Sequence, residues 1–171
     1  MRHCLLIGAT ALALATAMAG CAGPGITPLP AGATEAQVLQ SWGPPTGRYT
    51  LPAGTRLEYA TGPYGRTTWM VDLDASGRVT ARRQVLDDRH LQQVQGQLPG
   101  MTRQQLLQTL GRPGEVRAGG WQGGQVWSWR YDTHLCLWFQ VSIGDDGIVR
   151  DGAFIPDPAC DDDGDSPLDR L

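Results

Sequence analysis

His134 and Cys136 stand two residues apart in a stretch that alternates like a strand, so both side chains would leave one face, half of a metal-binding set. No second pair at ligand spacing completes the set, so neither a metal nor any other cofactor is expected. Asp72, Asp74, Ser76 and Gly77 imitate the opening of a calcium loop, but Arg83 stands at the twelfth position, where such a loop needs a bidentate Glu. A hairpin turn explains the same residues. Ser41, Ser76, Ser128, Ser142 and Ser166 have no Gly-x-Ser-x-Gly elbow or other activating motif around them. Gly119, Gly120, Gly123 and Gly124 precede a strand pattern instead of opening a helix, so they form a loop and not a phosphate cradle. His90 sits beside Leu91 on an expected helix, as a solvated residue. With no nucleophile–base pair and no metal constellation, the chain reads as a non-enzyme without a small-molecule substrate.

The six tryptophans are the remaining anomaly. Trp42, Trp69, Trp127 and Trp129 fit an inward-facing apolar pattern. Trp138 does not: it is out of phase with Leu137 and Phe139 and shares the face of Cys136. Trp121 lies in the glycine-rich loop. Trp121 and Trp138 are therefore the candidate partner contacts.

The elements that must position these residues are written twice. Thr34 to Pro45 recurs as Thr102 to Pro113, and Trp69 to Val79 recurs as Phe139 to Val149. In each copy a Thr (Thr34, Thr102) followed three residues later by Gln (Gln37, Gln105) forms a capping box. Gly43 and Gly111 supply the helix stop, with Pro45 and Pro113 behind them. Val38, Leu39 and Trp42 share one helix face, as do Leu106, Leu107 and Leu110. Strand patterns follow at Leu57–Tyr59 and Trp127–Tyr131, then Trp69–Leu73 and Phe139–Ile143. The turns Ala75-Ser76-Gly77 and Asp145-Asp146-Gly147 lead into a third strand. An extra helix carrying Leu91, Val94 and Leu98, capped by Asp87 or Asp88, precedes the second copy. The expected fold class is α+β: two tandem repeats, each with short helices on one face of a small antiparallel sheet of about three strands.

The chain opens with Met1-Arg2-His3 and an uncharged apolar run from Cys4 to Met18, a signal-peptide pattern too short to span a membrane. It runs into Met18-Ala19-Gly20-Cys21, which resembles the bacterial lipobox. That resemblance implies lipidation at Cys21 and anchoring in the outer membrane, facing the periplasm, since Ala22 is not the Asp that retains lipoproteins in the inner membrane. Residues 1–20 are then the signal, 21–31 a Pro- and Gly-rich tether, 32–86 the first repeat, 87–156 the second, and 157–171 an acidic tail. The formal net charge is −3 and all 14 basic residues are arginine, without a basic stripe, which argues against nucleic acid as a partner. Cys136 and Cys160 remain as an even pair in an oxidising compartment. The expectation is that Phe154 to Cys160 crosses the outer face of the second sheet, pinned by a Cys136–Cys160 disulfide and covering part of Trp138. The competing arrangement has a loose tail, free thiols and Trp138 as a partner contact. On the other face, Leu135, Leu137, Phe139 and Val141 are expected to meet the helices.

Gly100-Met101-Thr102, Gln105-Leu106 and Gly111-Arg112-Pro113 resemble the signature of BamE-like (SmpA/OmlA) outer-membrane lipoprotein domains, as do Trp129-Arg130-Tyr131 and the strand–Asp–Gly–Val block. The resemblance covers about Gly32 to Gly152, twice over, and implies two helices against a three-stranded antiparallel sheet. The first copy departs from it at Ala33 and Trp42, and the BamE protein itself carries one such unit. The layout also resembles the tandem repeats of β-lactamase inhibitory proteins. The function expected is a lipid-anchored, non-enzymatic scaffold or accessory factor in outer-membrane protein assembly or envelope integrity, with an envelope protein as partner, the outer-membrane barrel-assembly machinery being one candidate. The alternative is a periplasmic binding or inhibitory module that captures an enzyme or cell-wall component.

Overall fold

Each repeat begins with a helix closed at both ends by its own residues. In the computed structural model, which describes residues 28–119 and 123–160, the first helix, α1, spans Glu35–Trp42. Thr34 Oγ1 accepts from the Gln37 N–H at 3.4 Å while Gln37 Oε1 accepts from the Thr34 N–H at 2.8 Å. Helix α3 (Arg103–Leu110) repeats this with Thr102 and Gln105 at 3.2 and 2.8 Å. Two otherwise orphaned amides are satisfied each time. Helix α2 (Asp88–Gln95) is capped by Asp87, whose carboxylate accepts from the His90 N–H at 2.9 Å.

The strands form two separate four-stranded antiparallel meanders. The first sheet contains β1 (Gly47–Leu51), β2 (Gly54–Ala60), β3 (Thr68–Asp74) and β4 (Val79–Gln84). The second contains β5 (Glu115–Ala118), β6 (Gln125–Arg130), β7 (Leu137–Ile143) and β8 (Val149–Pro156). This corrects the expected α+β class with about three strands per sheet: the protein is mostly β. The strands missing from the sequence reading are β1 and β5, edge strands of sequence GRYTL and EVRA. An edge strand gains its place by backbone pairing, and these two are short: their alternation rests on two apolar positions each, Tyr49 and Leu51 or Val116 and Ala118, too few to be recognised as a strand pattern.

The helices also cover more than one face. Val38 and Trp42 of α1 pack on Leu57, Tyr59, Val71 and Leu73 of the first sheet. Leu91 and Val94 of α2, Leu98, and Leu106 and Leu110 of α3 pack on Trp127, Trp129, Phe139, Val141 and Ile143 of the second. Each such side chain contributes about 1.5–3 kcal/mol by leaving water. Met70, on the opposite face of the first sheet, belongs to this second cluster. The layers therefore run α1, first sheet, α2 with α3, second sheet.

That middle contact is polar and specific. Arg56 forms a bidentate pair with Asp72, at 2.5 and 2.7 Å, and donates to the Gln108 carbonyl of α3 at 2.7 Å. Glu58 is fully buried and accepts from Thr46 Oγ1 at 2.8 Å, the Arg112 N–H at 3.1 Å and the Tyr49 hydroxyl. Burial, followed by the bond to Glu58, pushes the Tyr49 pKa well up. Gly111 is required here twice over: its φ is +76°, and a Cβ would lie 2.7 Å from Thr68 Cγ2.

Candidate partner-binding surface

Among the described residues, the fourth layer leaves one sheet face without a covering helix. Register places Arg130 beside Trp138 and Trp138 beside Ile155 on that face, with Ser128, Gln140 and Ala153 in the next row. Trp138 is nevertheless only 2% exposed. The guanidinium of Arg130 lies 4.9 Å from its ring centroid and that of Arg117, on β5, 5.1 Å. Arg130 is held in turn by Asp157 through two bonds of 2.6 and 3.0 Å, and Arg117 by Glu115. Burial alone would raise the Asp157 carboxyl, but hydrogen bonds from Arg130 and the Ala159 N–H, with the charges of Arg130 and Arg66, bring it below the usual range. A protein meeting this face therefore meets arginine, polar side chains and the exposed Ile155, with Trp138 buried beneath them.

Cys136 and Cys160 are joined by a disulfide, with Cα atoms 6.5 Å apart. The chain reaches it by another route than expected. Phe154, Ile155 and Pro156 belong to β8 and pair edge-on with β7 instead of crossing the face. The short 3₁₀ turn Pro158–Cys160 follows, and the Asp157 N–H before it donates to the Cys136 carbonyl at 2.9 Å. The side-chain alternation of β7 holds for Phe139 and Val141, which are fully buried, and in part for Leu137. It fails at Leu135, which precedes the strand and is 68% exposed. Cys136 itself has φ +48°, which breaks the alternation there.

On the helix side of the same end lies an open groove of about 330 Å³. Tyr131, Leu137 and Phe154 form its floor, Asp88 and Gln92 of α2 one wall, and Thr133, His134 and Leu135 its lip. Burial first, and the Asp88 carboxylate against the hydroxyl, raise the Tyr131 pKa. A smaller cavity of about 90 Å³ lies between the first sheet and the α2–α3 layer, lined by Arg56, Asp72, Arg83, His90 and others. His90 Nε2 is buried without a hydrogen-bond partner among the described residues. Burial and the charge of Arg83 hold the His90 pKa below its ordinary value.

The chain matches no known family model, no curated protein and no solved structure.

Among the residues singled out from sequence, Cys21 and Trp121 lie outside the described residues, as do 1–27 and the tail from 161 onward. His134 is at the groove lip, away from His90. Asp74 ends β3 and opens the turn into β4: its carboxylate accepts from the Arg78 and Ser76 N–H groups at 3.0 and 2.9 Å, which lowers its pKa. Those bonds make the turn that the calcium-like spacing imitates. No group of three or more His, Cys, Asp or Glu that would hold a metal is found among the described residues. No helix among them is long and apolar enough to cross a membrane. Sequence reading missed Arg117, Asp157 and the groove. Arg130 alone had a signal, since it alternates outward between Trp129 and Tyr131.

Proposed function

We propose that this chain is a lipid-anchored, non-enzymatic envelope protein, a scaffold or accessory factor in outer-membrane protein assembly or envelope integrity. The observation that carries the reading is the Met18-Ala19-Gly20-Cys21 motif followed by a Pro- and Gly-rich tether and a disulfide-stapled two-unit body. A lipid on Cys21 confines that body to the membrane surface, and the tether raises its effective concentration near a membrane partner without any further contact. The stacked layers and the disulfide hold the exposed groove and the arginine-covered face in fixed geometry, which lowers the entropy lost when a partner docks. The resemblance to BamE-like domains makes the barrel-assembly machinery the first partner to test.

Replacing Cys21→Ser should abolish lipid labelling and release the protein from the outer-membrane fraction; a mutant that still sediments with membranes at high salt contradicts the anchor. Crosslinking in cells followed by purification should recover barrel-assembly subunits. Recovery of a soluble hydrolase in their place would move the protein to the alternative reading, an inhibitory or binding module.

A further inference from the structure

We infer that the groove between α2 and the far end of the second sheet receives a long cationic side chain, an arginine or lysine, from a partner protein. Its floor is apolar, made by Tyr131, Leu137 and Phe154, while the wall carries one carboxylate, Asp88, set against the Tyr131 hydroxyl. Among the described residues no arginine lines the groove; His134 stands at the lip, and the one carboxylate on the wall is Asp88. A purely apolar side chain would cover the floor but return nothing to the exposed carboxylate of Asp88 beside it. An anion would meet Asp88 head on. An alkyl chain tipped with a guanidinium or ammonium meets both demands, laying its methylenes on the aromatic floor and its head at the carboxylate. The lip includes an apolar residue already in solvent, Leu135, 68% exposed. It sits on the turn fixed by the Cys136–Cys160 bond and by the Asp157-to-Cys136 backbone bond, so the groove is formed before anything binds.

This inference borrows from the proposed function only the idea that the partner is a protein, and its chemistry is tested without any partner. The purified full chain, labelled at leucine methyls, is titrated with n-butylguanidinium, n-pentanol and valerate, following Leu135 and Leu137. Butylguanidinium should shift both in a saturable manner and bind about tenfold tighter than pentanol, a preference that weakens with added salt. Valerate should give no saturable shift. Asp88→Asn should bring the two probes to parity. Leu135→Lys, at an exposed site that leaves folding untouched, should weaken butylguanidinium at least fivefold by placing a like charge at the lip. Equal binding of pentanol and butylguanidinium to the unaltered chain, saturable valerate binding, or an undiminished preference in Asp88→Asn would each overturn the inference, and none would bear on membrane anchoring.

Discussion

Breaking the Cys136–Cys160 bond should cost this protein more than any other single surface change. The two cysteines are 24 residues apart and enclose the β7–β8 hairpin. In the chain-entropy treatment, closing a ring of about 25 residues restricts the unfolded chain enough to stabilise the native state by about 3.5 kcal/mol at 25 °C. For a body of this size each kcal/mol shifts the midpoint by roughly 2–4 °C, so the expected fall in Tm is roughly 7–14 °C. The perturbation is the paired change Cys136→Ala and Cys160→Ala, compared with the parent by urea and thermal unfolding at neutral pH. Because the restraint acts on the unfolded chain, the urea m-value should rise in the variant as that chain becomes free to expand. Reductant should reproduce the loss in the parent and do nothing further to the variant. A loss below about 1 kcal/mol with the bond verified by peptide mapping would refute the entropic reasoning; two free thiols in the oxidised parent would refute the bond itself.

Trp138→Ala should cost about 3–5 kcal/mol in urea unfolding, as for a buried core aromatic, although Trp138 lies on the sheet face away from the helices; a loss under about 1 kcal/mol would mean that the arginine cover collapses to fill the gap. Arg117→Ala should lower stability far less than Trp138→Ala in the same curves, because its guanidinium is exposed; an equal loss would contradict this. Thr102→Ala should cost about 1 kcal/mol through the lost cap, restored by Thr102→Ser and measured by the same unfolding curves. His90 supplies a pH dependence. Its folded pKa lies below 6.5, first because burial disfavours its charge and then because Arg83 and, more weakly, Arg56 repel it, with Asp87 opposing them. The unfolded chain therefore takes up the proton first as pH falls, so stability is full above about pH 6.5 and declines through the window beneath it. His90→Gln should flatten urea midpoints between pH 7.5 and 5; a parent and variant with the same slope would exclude His90 as the titrating group.

The parts of this fold that sequence reveals are those written within a few residues. Both capping boxes, the Gly43 and Gly111 stops and the Asp74 turn depend on neighbours up to four positions away, and their side chains are where local chemistry puts them. What the sequence concealed depends on partners far along the chain. β1 and β5 are strands only because β2 and β6 lie beside them. Nothing near Arg56 announces that it will donate to Gln108, or near Glu58 that it will accept from the Arg112 amide. The same holds for Trp138: its phase along β7 showed which face it leaves by, but its cover comes from Arg117 on the unrecognised β5 and from Arg130, pinned by Asp157.

Thr68 and Trp138 occupy equivalent places in their sheets, opposite Ala60 and Arg130 respectively, and the difference between them sets what each sheet face can seat. At Thr68 the Gly111 corner approaches so closely that one added methyl would collide. At Trp138 the same ground holds an indole under two guanidiniums. A third unit, whether appended by another duplication or offered by a second molecule, has nowhere to seat its helix corner. Head-to-tail association of that kind is heterologous and does not close on itself, so an unprotected end would polymerise. One large side chain at the last sheet thus closes, in the second unit, the seat that the first unit offers to the Gly111 corner.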